Sequence, residues 1–259
     1  MKRTVLFFGL LVLCAIPVYG LSSETTRALL FGNIAQLTGL VFMFTSYMRL
    51  GDALPRNHPS RSAARQFAFG VFIWILGQSL EMYCELVLKM IAYGTIADAF
   101  WVIGYFPMYV AFRGILEDRK LDRNIAGWNY LRKLMILAAV AYAILFYFLI
   151  LPQLRETSQP MADTILDFLY PTLDFLLIVQ CLAIAVTSQR GNAFFSFSII
   201  TAAGVLLTMV GDAVLSVITD FHSIAYLSVD VYYFTSYFVM AAAADLEWQR
   251  RKKREDLSS

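Results

Sequence analysis

The sequence predicts an all-α protein: a polytopic bundle of seven transmembrane helices, preceded by a signal peptide or an eighth helix, with its C-terminus in the cytoplasm. Three observations predict this: composition, a succession of apolar runs of span length, and the way Lys and Arg alternate between the segments joining them. Hydrophobic residues make up 59% of the 259, charged residues only 15%, and the mean hydropathy is +0.63. Soluble domains carry about 25% charged residues, so much of this surface must face lipid.

A helix crossing the bilayer needs about 20 apolar residues. Runs of that kind lie near 4–21, 28–48, 67–90, 94–112, 133–152, 164–187, 193–218 and 225–245. Unpaired backbone cannot face lipid, so each run should be helical. Turn and boundary residues separate them: Gly51-Asp52 and Pro55, Pro152, Pro160, and Gly191-Asn192. Between the third and fourth runs only Lys89 to Thr95 marks a break. The first run is ambiguous. Lys2-Arg3, an apolar stretch and then Pro17-Val18-Tyr19-Gly20 suit a cleaved signal peptide as well as a retained span. The expected organisation is therefore 1–21 as signal peptide or first helix, 22–249 as the seven-helix domain, and 250–259 as a basic cytoplasmic tail.

Orientation follows from the basic residues. Lys2 and Arg3, Arg49 to Arg65, Arg113 to Lys133, Arg190 and Arg250 to Arg254 fall in alternate segments and hold 18 of the 21 Lys and Arg. The intervening segments hold only Arg27, Lys89 and Arg155. The positive-inside rule then puts the C-terminus in the cytoplasm of a cell membrane. The tail, Arg250-Arg251-Lys252-Lys253-Arg254, suits anionic lipid headgroups as a stop-transfer anchor, or a cytoplasmic partner.

Several chemistries are poorly supplied. Cys14, Cys84 and Cys181 sit in apolar runs without ligand-like spacing, and His58 and His222 are the only histidines. No cofactor and no nucleic-acid partner are expected, and no lysine lies in the last spans to form a retinal Schiff base.

The predicted spans instead hold Glu81, Glu85, Asp98, Asp167, Asp174, Asp212 and Asp230. An aspartate at mid-span costs about 2.5–3.5 kcal/mol, so these acids should line a wet cavity, pair with cations or stay protonated. In the predicted orientation all seven fall in the outer half or near the midplane. Helical spacing groups them further. Gln78, Glu81 and Glu85 share a face at i, i+3 and i+7; so do Asp98, Trp101 and Tyr105, then Asp167, Tyr170 and Asp174, then Asp230, Tyr233 and Tyr237. Carboxylates beside aromatic faces suit a small organic cation, and oxygen ligands alone would also suit a hard metal ion. The plainer alternative is an interfacial aromatic belt with solvated acids. The expected ligand site is Gln78, Glu81, Asp98, Trp101, Tyr105, Asp167, Tyr170, Asp174, Asp212, Asp230 and Tyr233. Pro107 and Pro171 should bend their helices, and Gly204, Thr208 and Gly211 should allow close packing. Asn33 and Gln36 add polar groups at the same level, for interhelical hydrogen bonds or ligand contact.

The strings Ala97-Asp98-Ala99-Phe100-Trp101-Val102-Ile103-Gly104-Tyr105, Asp167-Phe168-Leu169-Tyr170-Pro171-Thr172-Leu173-Asp174, Gly211-Asp212 and Ala241-Ala242-Ala243-Ala244 occur in order. Over residues 28–246 the chain resembles the seven-helix input regions that precede diguanylate cyclase or histidine kinase domains in bacteria and archaea. The resemblance implies a non-enzymatic sensor. No output domain follows Arg254, so signalling would need a separate cytoplasmic partner. A cation- or proton-coupled transporter is the alternative, though no repeat pair is visible and few acids lie on the inner side. The third reading is an intramembrane aspartyl hydrolase. Such enzymes resemble Tyr-Asp on one helix and Gly-x-Gly-Asp on the next, whereas here Tyr170 and Asp174 are separated and Met209 replaces the first glycine.

Overall fold

A computed structural model describes residues 28–56, 58–89, 94–118, part of 132–151, 161–187, 193–215 and 224–258. The predicted first span, most connecting loops and several of the counted basic residues lie outside them. Every regular element among the described residues is helical. Helix α1 is Gln36–Asp52, continued upstream by π-helical turns over Ala28–Ala35. Helix α2 is Pro59–Tyr83, with a π-helical turn at Cys84–Leu88, and α3 is Ile96–Asp118. After the partly described 132–151 segment, whose described positions are helical, come α4 (Met161–Thr187), α5 (Ala193–Leu215) and α6 (Ile224–Ser258).

Four stretches are long and apolar enough to cross a membrane: Ser60–Leu88, Ile96–Leu116, Met161–Thr187 and Phe195–Leu215. Their outer faces fit lipid. Phe69 and Phe72 on α2, and Ile103 and Phe106 on α3, point outward, Phe106 with 72% of its surface bare. A water-soluble domain would bury such a stripe. This is a membrane protein.

Two helix boundaries differ from the sequence reading for local reasons. Helix α2 starts eight residues earlier than 67, because the His58 imidazole accepts a hydrogen bond from the Ser60 N–H and Pro59 occupies the first turn. Helix α6 runs on to Ser258, so the basic tail continues the last span as helix. The weak break near Lys89 is sharp in the backbone. Lys89 adopts a left-handed conformation (φ 55°) and donates its N–H to the Cys84 carbonyl, and Gly94 also has positive φ, at 75°.

Helices α1 to α6 close into a ring in which each packs on the next and α6 returns to α1. From the described part of 132–151, Tyr142 bonds Thr172 of α4 and sets its ring against Phe175 at 4.7 Å. Within membranes, packing and interhelical hydrogen bonds hold helices together, because lipid is as apolar as leucine. Close approach is visible at two crossings. A Cβ on Gly70 of α2 would sit 2.6 Å from the Gly104 carbonyl of α3, and one on Gly204 of α5 would sit 2.5 Å from Met240 of α6. Thr208 adds a hydrogen bond across that second crossing to Ser236 at 3.0 Å. Pro107 and Pro171 lie inside α3 and α4, both of which continue through them.

The ring's two halves are filled differently. Toward the end holding Arg49, Arg65 and Arg250 (the basic half), aromatic rings pack tightly. Tyr47 and Phe67 stack at 4.0 Å, Phe67 meets Phe112 at 5.2 Å, and Phe197 closes on Tyr47 at 6.0 Å. Toward the other end (the acidic half), polar side chains surround an opening.

Candidate functional site

That opening is a cavity of about 120 Å³, ample for several waters or a small ligand. Helices α1 to α6 all line it, α4 through Tyr170 alone, with groups that no single stretch of chain could bring together. Five carboxyl groups border it: Glu81, Glu85, Asp98, Asp212 and Asp230.

Each acid is held by a neutral donor from a neighbouring helix. The Trp101 indole N–H donates to Glu81 at 3.2 Å, and the Asn33 amide donates to Glu85 at 2.9 Å. Gln36 donates to Asp230 at 3.0 Å. The Tyr170 hydroxyl donates to Asp98 at 2.6 Å, and the Tyr233 hydroxyl to Asp212 at 2.5 Å. Asp98 also caps its own helix: its carboxyl accepts the Thr95 N–H at 2.9 Å, while the Thr95 hydroxyl accepts the Ala97 N–H. This is a variant of the capping box, with aspartate in place of glutamate. The Thr95-Ile96-Ala97-Asp98 spacing carries that signal in the sequence, and it gives Asp98 a structural task beside any binding role.

An aromatic wall completes the cavity. The Trp74 ring meets Tyr105 edge-on at 4.9 Å, Trp101 at 5.5 Å and Tyr237 at 6.1 Å. The Trp74 indole N–H is fixed by the Trp101 carbonyl at 2.8 Å. Four aromatic rings beside carboxylates form a setting that attracts organic cations.

Of the expected site residues, Glu81, Asp98, Trp101, Tyr105, Tyr170, Asp212, Asp230 and Tyr233 all line the cavity. Three do not. Gln78 is fully buried and donates to the Gly32 carbonyl at 3.2 Å, a tie between α2 and the start of α1. Asp167 lies partly exposed, one helical turn before Tyr170 on α4. Asp174 is fully enclosed behind the wall, where it accepts the Tyr105 hydroxyl at 2.6 Å. Trp74, Thr208 and Tyr237 line the cavity without being among the expected residues. Trp74 was legible, since it precedes Gln78 and Glu81 by four and seven residues on one helical face.

The arrangement restricts the chemistry. Among the described residues, no three His, Cys, Asp or Glu side chains converge to hold a metal ion. The described ion pairs, Arg65–Asp52 and Arg251–Glu247, both belong to the basic half. The cavity therefore offers negative charge and π-faces, balanced by hydroxyl, amide and indole donors. No protein family matches the chain, and neither a curated protein nor a solved structure matches it significantly.

Proposed function

We propose that this membrane protein is a receptor-like sensor that binds a small organic cation in the acidic and aromatic cavity and signals to a separate cytoplasmic partner. The observation that carries the reading is the cavity's imbalance: five carboxyl groups beside six aromatic rings, each acid bonded by a neutral donor. A site of that kind gains most from a ligand that brings positive charge. The alternation of Lys and Arg supports a cytoplasmic basic half, with the cavity opening outward and residues 1–21 serving as a signal peptide or extra helix. Helix α6 supplies the route inward. It carries Asp230, Tyr233 and Tyr237 at the cavity and runs 35 residues to Ser258, roughly 52 Å at 1.5 Å per residue.

Two other readings find less support. A carrier needs a path through the basic half, which is packed with Tyr47, Phe67, Phe112 and Phe197. The aspartyl hydrolase reading needs Asp174 and Asp212 to act on one water from the cavity, and Asp174 does not border it.

The test is thermal stabilisation of the purified full-length protein by a panel of quaternary amines, amino acids and divalent ions. A ligand present at about 100 times its Kd adds about 2.7 kcal/mol of stability. Asp230→Asn and Glu81→Gln should retain the fold and weaken binding of an organic cation at least about ten-fold, or 1.4 kcal/mol. Equal stabilisation of wild type and both variants, or none by any cation, would defeat the proposal. Flux of the same cation through proteoliposomes would favour the carrier.

A further inference from the structure

The deepest acid is one the cavity does not touch. Asp174 on α4 and Asp212 on α5 lie within hydrogen-bonding reach of each other. Each gives one oxygen to a tyrosine: Tyr105 donates to Asp174 Oδ1 and Tyr233 donates to Asp212 Oδ1. The remaining oxygens, Asp174 Oδ2 and Asp212 Oδ2, are enclosed and accept no hydrogen bond from any described residue. Two carboxylates cannot both stay ionised side by side in a water-poor site. An orphaned buried oxygen is costly, and each carboxyl of the pair carries one. A single proton held by the pair, bound to one carboxyl and donated to the other, removes the repulsion between them.

We propose that Asp174 and Asp212 hold one proton between them, and that a cation entering the cavity drives it out. This rests on the cation-binding reading above. Asp212 borders the cavity and Asp174 stands directly behind it, so an arriving positive charge stabilises the doubly ionised pair. The balance is simple: one cation enters, the O–H bond of the pair breaks, and one proton leaves to solvent. The groups facing the pair are Tyr105 from α3, Asp167 and Tyr170 on α4, and Tyr233 and Tyr237 from α6, with Glu81 of α2 and Asp98 of α3 beyond them. None of these is a cation, so among the described groups facing the pair nothing compensates a second charge. Acid fills the pair and opposes the ligand; base empties it and favours the ligand.

The probe is tetramethylammonium, which has no proton of its own to lose. In infrared spectra of the full-length protein at neutral pH, wild type should show a protonated-carboxyl stretch that vanishes in Asp174→Asn and in Asp212→Asn. Tyr105→Phe, the mildest change, should keep that band and shift its frequency. Titration with tetramethylammonium should remove it and release about one proton per cation, read by calorimetry in buffers of different ionisation heat. Apparent affinity should then fall about ten-fold per pH unit on the acid side. A band unchanged in all three variants, or none in wild type, overturns the shared proton. Binding heat without proton release overturns the displacement and leaves the receptor reading standing. A variant-sensitive band with no binding heat at any pH overturns both the displacement and that reading.

Discussion

Buried acids occur in both halves of the ring, and their partners differ. In the basic half Glu247, almost wholly enclosed, bonds Arg251 one turn later on α6 at 2.7 Å. At the rim of that half Asp52 meets Arg65 at 2.8 Å. In the acidic half Glu81, Asp98, Asp174, Asp212 and Asp230 are bonded by Trp, Tyr and Gln donors. A carboxylate paired with a guanidinium already has its counter-charge and serves packing or register. A carboxylate held by a phenol is oriented without being neutralised, and remains available to a proton or a cation. The same residue type therefore does structural work at one end and leaves charge unbalanced at the other.

Perturbing each half in turn separates these roles. The largest effect on stability should come from Phe67→Ala, which empties the stack between Tyr47 and Phe112. A loss of about 3–5 kcal/mol is expected, with cation binding in the surviving folded fraction unchanged. A similar binding loss without a drop in Tm would erase the distinction between the halves. Next comes Arg251→Ala, which removes the counter-charge beside the enclosed Glu247 and should destabilise by about 3 kcal/mol. An Arg251→Ala protein as stable as wild type would show that Glu247 is served by other groups. The smallest effect belongs to Arg65→Ala. Both members of that pair are about half exposed, 48% and 60%, so about 0–1 kcal/mol is expected, measured as a shift in Tm at low and high salt.

Accessibility sharpens the comparison within the acidic half itself. Asp98→Cys, on the cavity wall, should react with a small polar thiol reagent, and Asp174→Cys should not, because Asp174 is enclosed behind Tyr105. Equal labelling of the two positions would put Asp174 back on the cavity surface.

Much of the site was legible because helical spacing is local. The stripes Asp98–Trp101–Tyr105 and Asp230–Tyr233–Tyr237 follow from 3.6 residues per turn, and all six residues line the cavity. The same rule placed Gln78 and Asp174 on the right helix faces but could not say how deep each lies. Gln78 is consumed by the Gly32 carbonyl and Asp174 by the Tyr105 hydroxyl, contacts that span 46 and 69 residues of chain. The buried acids of the basic half escaped notice for another reason. Asp245 and Glu247 sit where the apolar run fades into the basic tail, and hydropathy reads such a stretch as a solvated end. Helix α6 continues through it and carries both inside.

By itself, the sequence determined the class of this protein and the helices that carry its acids. Apolar length, charge alternation and helical period are properties of short segments, and short segments suffice to read them. Tertiary structure alone decided which acid faces which donor, that five carboxyls border one cavity, and that Asp174 and Asp212 meet with an unpartnered oxygen each. Those facts depend on the ring closing between α6 and α1 and on the depth at which α4 and α5 cross. Packing between distant segments sets both, and no local pattern encodes it.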